Sequence, residues 1–250
     1  MMDPIEQFRI TKLFPIVKIG PVEIAFTNSA LFMVLAVALT ALFLLGATRS
    51  RALVPSRSQA AAEQIYEAIS GMLVNLTGPA GMPFFPLVFS LFMFILLANL
   101  MGLIPVVGFT VTSHLIITVG LALLVFFTVI IVGFWKHGLH FLKLFVPSGV
   151  PAYILPFVVV LEVLSFLIRP ISHSIRLFAN MLAGHITLQV FAGFVTMLGA
   201  AGFVGWIGAT LPLLLTVALF ALELLVAVLQ AFVFAILTCF YLDGALHPGH

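Results

Sequence analysis

Charge is what this chain has least of. Only 7% of its 250 residues are Asp, Glu, Lys or Arg, against about 25% in an ordinary soluble domain, and 63% are hydrophobic. Ten basic and eight acidic side chains are too few to cover the surface that a soluble fold of this length leaves in water. A soluble enzyme, a nucleic-acid binder and a disordered tail are therefore excluded. The formal net charge of +2 is too small to indicate a partner. A single cysteine, Cys239, gives neither a disulfide framework nor a metal-binding pair, which leaves it to packing. No G-x-x-x-x-G-K-[ST] run occurs, so any phosphate chemistry belongs to another chain. H-E-x-x-H and any nucleophile–base arrangement are also missing, which excludes a membrane protease or transferase. The start is read as mature, because Asp3 and Glu6 precede a mixed stretch with no small-residue cleavage site.

What the chain has in abundance is long apolar runs, and its mean hydropathy is +1.32. After an outer-side N-terminal segment, 1–25, the run 26–48 is long enough to cross a hydrocarbon core about 30 Å thick. Residues 49–82 carry Arg49, Arg51, Arg57, Glu63 and Glu67, and Ala60–Val74 sets Ile65, Ile69, Met72 and Leu73 on one side. That pattern predicts an amphipathic helix lying on the membrane surface. Residues 83–135 form a membrane hairpin, with Asn99 read as a hydrogen-bonding contact to a neighbouring helix and His114 as a solvated loop residue at its outer mouth. The loop 136–150 holds Lys136, His137, His140 and Lys143, which interfacial charge explains without a zinc site. Three arginines follow the first span and two lysines the third, whereas the 105–114 connection has neither. The bias places the N-terminus outside and the C-terminus in the cytoplasm.

In 151–250 the pattern changes. Between Val150 and Leu242 only Glu162, Arg169, Arg176 and Glu223 are charged, and Arg169-Pro170 is no hydrophilic loop. A helix from Pro156 to Gly199 would be roughly 65 Å long, about twice the hydrocarbon thickness, and cannot stand upright. The region is read as two long, strongly tilted helices, 153–198 and 206–242, joined by Gly199–Gly205.

An ionisable residue at membrane depth costs at least about 2.5 kcal/mol on the insertion scale, so each is a candidate for function. At helical spacing Arg169, Ser172, His173, Arg176 and Asn180 fall in one stripe, with Glu162 on nearly the same side. His185 is half a turn out of phase with Arg176 and faces another neighbour. Antiparallel packing of the two helices sets Glu223 opposite His185 and Gln230 nearer Arg176. A carboxylate touching an imidazole can exchange protons near neutral pH.

The segment Ser174-Ile-Arg-Leu-Phe-Ala-Asn-Met-Leu-Ala-Gly-His185, followed by Glu223 and Leu229-Gln-Ala-Phe-Val-Phe234, resembles subunit a of the F-type ATP synthase, over about 83–242. The resemblance implies a stator beside a rotating ring of c subunits, with two aqueous half-channels separated by one essential arginine. Arg176 stands at that arginine and Asn180 at the asparagine one turn later. His185 and Glu223 stand at the acid/base pair of the entry path, in the order of mitochondrial relatives, and Gln230 at the glutamine near the arginine. Glu162, Ser172 and His173 line the expected exit side. Arg169 reads either as an interfacial cation or as a wall of that exit, and Glu162 either as channel wall or as water-facing flank.

The reading is thus an all-α integral membrane protein with three near-upright transmembrane helices, one interfacial amphipathic helix and two long tilted helices packed as a hairpin. The resemblance implies the c ring, peripheral-stalk b-type subunits, the F1 head and membrane lipid as partners, in a bacterial cell inner membrane. No cofactor, metal or nucleic acid is expected. The other reading is a secondary transporter or ion channel with its substrate at Arg176; the lack of an internal repeat weighs against it.

Overall fold

The computed structural model describes residues 9–19, 22–49, 55–104, 109–146, 151 and 153–247. The readings that involve Asp3, Glu6, Arg51 and the last three residues lie outside them.

Two strands, β1 (Lys12–Ile19) and β2 (Val22–Thr27), precede six helices: α1 (Asn28–Thr48), α2 (Arg57–Thr77), α3 (Phe85–Gly102), α4 (Leu115–His137), α5 (Leu155–Gly199) and α6 (Phe203–Leu246). Short 3-10 turns occupy Pro79–Phe84, Val111–Ser113 and Gly138–Phe145. Among the described residues five helical stretches are long and apolar enough to cross a membrane, and α2 is not one of them. The fold is that of a helical integral membrane protein.

The β1–β2 pair is an addition to the sequence reading, which has no strand before the first span. It is antiparallel, with Lys12 opposite Thr27 and Phe14 opposite Phe26, and those two rings stack at 5.0 Å. The sequence hides it because Gly20-Pro21 is not one of the dipeptides that mark a tight hairpin. Asn28 turns strand into helix: its Oδ1 accepts from the backbone N–H groups of Thr11 and Ser29, and its Nδ2 donates to the Arg9 carbonyl. Helix α2 is delimited by Ser56, whose hydroxyl accepts from the Gln59 N–H, and by Gly78, whose φ of 65° admits glycine readily.

Helix α5 runs unbroken through Pro170. A proline inside a helix removes one backbone bond and costs about 3 kcal/mol. Ending the helix in lipid would strand several backbone groups instead, and that costs more. At 45 residues α5 is about 67 Å long.

By contacts the chain divides into two compact units, 1–42 with 94–114 and 177–230, and 43–93 with 115–176 and 231–250. The first contains a buried polar cluster, described below, and a stack of Phe32 on Phe109 at 5.2 Å. The second is aromatic. Phe166 of α5 meets Phe126 of α4 at 5.1 Å and Phe145 at 5.3 Å, Tyr66 of α2 tilts against Phe85 at 4.7 Å, and Phe141 is buried against Phe134. Here too His137 Nε2 lies 3.0 Å from the Leu246 carbonyl, tying the end of α4 to the end of α6. Cys239 is buried in this unit.

Candidate functional site

The first unit gathers its polar side chains into one buried cluster. Helix α3 supplies Asn99, whose Nδ2 donates to the Ala227 carbonyl of α6 at 3.1 Å. The Asn99 Oδ1 accepts from the Thr112 hydroxyl at 2.6 Å. Two residues earlier, Thr110 Oγ1 stands 2.6 Å from Nε2 of His185 on α5. That same ring nitrogen is 3.5 Å from Oε1 of Glu223 on α6. All five side chains are buried, and among the described residues neither Glu223 oxygen has a hydrogen-bond partner. The 109–114 segment and α6 thus meet at the His185 imidazole of α5, and Asn99 of α3 braces both of them.

Close approach is what makes the cluster possible. A Cβ on Gly184 would fall 2.7 Å from Glu223 Oε1 and 3.0 Å from its carboxyl carbon. Gly102 likewise lies directly against the Thr110 side chain. Both glycines are needed for contact, not for backbone freedom. Outside the spans, the His114 ring tilts against that of Phe109 at 5.0 Å, and burial pushes its imidazole below the ordinary histidine range.

A second polar feature lies on the outside of α5. Ser172, Arg176 and Asn180 are exposed, and Glu162 and Arg169 are half-buried. Arg176 forms no salt bridge among the described residues. The Ser172 hydroxyl is spent on its own helix, donating to the Ile168 carbonyl at 3.0 Å. His173 departs from the stripe on which the sequence reading puts it: it is buried, with its ring 3.8 Å from that of Phe234 and 5.7 Å from that of Tyr241. The 60° that separates neighbouring wheel positions at three-residue spacing is enough to turn it inward. Arg169 lies over two rings, 5.4 Å from Phe166 and 5.5 Å from Tyr241, a cation–π seat. Gln230 of α6 is half-buried. Among the described residues no three His, Cys, Asp or Glu side chains come together as a metal ion would need.

A buried imidazole–carboxylate pair and an exposed arginine thus share one 45-residue apolar helix and its neighbour, and a family model covers both. The model described as ATP synthase A chain matches residues 30–243, from the first turn of α1 to the last of α6. The chain belongs to the ATP synthase A chain family.

Full-length relatives agree. The chain is 62% identical over 250 residues to ATP synthase subunit a of Afipia carboxidovorans, covering 100% of both chains. It is 64% identical over 248 residues to that of Chelativorans sp. strain BNC1, covering 99% of each, and 62% identical over 250 residues, again 100% of both, to that of Nitrobacter winogradskyi. As an A chain with five apolar helices, the protein is a multi-pass membrane component of ATP synthase.

The A-chain cluster contains residues that the sequence reading leaves out. Thr110 and Thr112 have no assigned part there. The signal for both is Thr110-Val-Thr-Ser-His114, a polar run between two spans. Nothing in its spacing says that it folds back onto α5.

Proposed function

We propose that this chain is the proton-conducting stator of the synthase membrane sector, passing protons through two offset half-channels to and from the carboxylates of a c-subunit ring. It performs no catalysis alone; the F1 head makes ATP. The observation that carries this reading is the exposure of Arg176 on α5. A guanidinium facing lipid costs at least about 2.5 kcal/mol. With no salt bridge among the described residues, it calls for an acidic partner outside.

The physics of such a partner gives rotation. Arginine keeps its charge, because its unperturbed pKa exceeds about 12. A ring carboxylate opposite Arg176 is held ionised and must shed its proton first; away from Arg176 it faces lipid and must be neutral. Proton entry on one side of Arg176 and exit on the other then converts flow into turning. His185 and Glu223 serve entry from outside, with Asn180 and Gln230 shaping the passage. Glu162, Ser172 and His173 serve the exit toward the cytoplasm. Here the membrane is the bacterial inner membrane, with the N-terminus outside. A groove of about 680 Å³, lined by Gln59, Glu63, Tyr66, Glu67 and Phe85, suits a peripheral-stalk helix with a basic end.

Purification of the complex from membranes tests the reading. Co-purification with a proteolipid ring and a nucleotide-hydrolysing head is expected, together with a disulfide between a cysteine at Ala183 and one beside the ring carboxylate. A chain that purifies without a ring, and that alone encloses a bound substrate, would contradict it.

A further inference from the structure

The entry-side pair offers one nitrogen to two oxygens. His185 Nε2 is 2.6 Å from Thr110 Oγ1 and 3.5 Å from Glu223 Oε1. We propose that Thr110 is a positioning residue whose hydroxyl sets which ring nitrogen of His185 holds the proton and when that proton passes to Glu223. This rests on the assignment of His185 and Glu223 to proton entry.

A threonine hydroxyl rotates and can donate or accept. When it donates to Nε2, the imidazole is neutral, its proton is on Nδ1, and Nε2 has no capacity for another. When the hydroxyl turns, Nε2 takes up a proton from water of the outer half-channel and the ring becomes a cation. Nε2–H then gives that proton to Glu223 Oε1, leaving a neutral carboxylic acid and a neutral imidazole whose freed lone pair the Thr110 O–H engages again. No charge is created or lost. The hydroxyl thus returns the ring to one tautomer after each transfer.

The geometry holds Thr110 to this task. Thr110 is fully buried, its side chain rests on Gly102, and its O–H cannot swing freely into solvent. Two residues on, Thr112 is anchored to Asn99, which also grips α6 at Ala227, one turn beyond Glu223. One clamp therefore fixes both oxygens relative to each other. Of the titratable groups, Glu223 of α6 faces His185 at 3.5 Å, and Asn99, Thr110 and Thr112 do not titrate.

The test uses the assembled synthase in membrane vesicles, with proton-driven ATP synthesis followed against the pH of the outer side. Thr110→Val and Thr110→Cys should lower the rate several-fold and displace the profile toward higher pH by about half a unit or more, because the donor that favours the unprotonated Nε2 is gone. Thr110→Ser, which loses the same methyl group as the cysteine variant but keeps the hydroxyl, should stay near the parent in both. An unmoved profile in Thr110→Val and Thr110→Cys, with or without lower amplitude, overturns the proposal, since loss of packing scales the rate without moving its pH dependence. His185→Ala separates the two layers. If that variant keeps the parent rate and profile, the entry assignment itself is wrong; if it is impaired while the Thr110 profiles do not move, only the role of Thr110 is.

Discussion

Glu223 of α6 lies directly against Gly184 of α5. A Cβ on Gly184 would meet its carboxyl oxygen at 2.7 Å. The nearest atom is the far end of a flexible side chain, so Glu223 can move aside, but only by leaving His185. Gly184→Ala should therefore assemble normally, since alanine is favoured over glycine in a helix by about 1 kcal/mol. It should still slow proton-driven synthesis by about a hundredfold, the lower end of what a positioned proton-transfer group contributes. Assembly by complex yield and rate by vesicle assay should separate; a fast Gly184→Ala variant would show that the carboxylate position is not critical.

Asn99 is the second point of pressure, because its two hydrogen bonds join α3, the 109–114 segment and α6. Hydrogen bonds between membrane helices average about 0.6 kcal/mol, less than the aqueous figure suggests. Asn99→Leu should then lower stability by only about 1 kcal/mol, read as a small drop in the melting temperature of the detergent-solubilised complex. Synthesis should fall far more than stability does. Equal, small losses in both would reduce Asn99 to packing.

His114 gives a pH dependence whose sign follows from burial. Its imidazole is held below the ordinary value, so the unfolded segment binds the proton more readily than the folded one. Stability is complete above the ordinary histidine value of about 6.5 and falls as pH drops through it toward the lower folded value. His114→Gln should flatten the acid limb of melting temperature against pH between about 7 and 5. A steeper acid limb in that variant would reverse the assignment.

The helices were legible because lipid removes ambiguity: an apolar run near Phe26–Thr48 or Leu115–Trp135 has few other places to go. The long α5 was legible despite Pro170, since no polar loop flanks that proline. The approach of Glu223 to His185 follows from antiparallel packing of α5 and α6, once the wheel positions are known. Thr110 and Thr112 were not legible, because a short turn at Val111–Ser113 folds them onto a helix far away in sequence. The inward turn of His173 was lost for a related reason. It sits at the border of the polar stripe, and only Phe234 and Tyr241, on α6, decide its side. The β1–β2 pair lacked a tight-hairpin dipeptide, since Gly20-Pro21 marks a break in the chain without specifying strand pairing.

The most direct measurement of the central claim concerns Arg176. In vesicles carrying the assembled synthase, Arg176→Ala should permit passive proton leak through the membrane sector and abolish proton-driven synthesis, and Arg176→Lys should lose coupling as well, because a lysine can give up its charge where an arginine does not. Proton-driven synthesis retained in either variant would contradict the account.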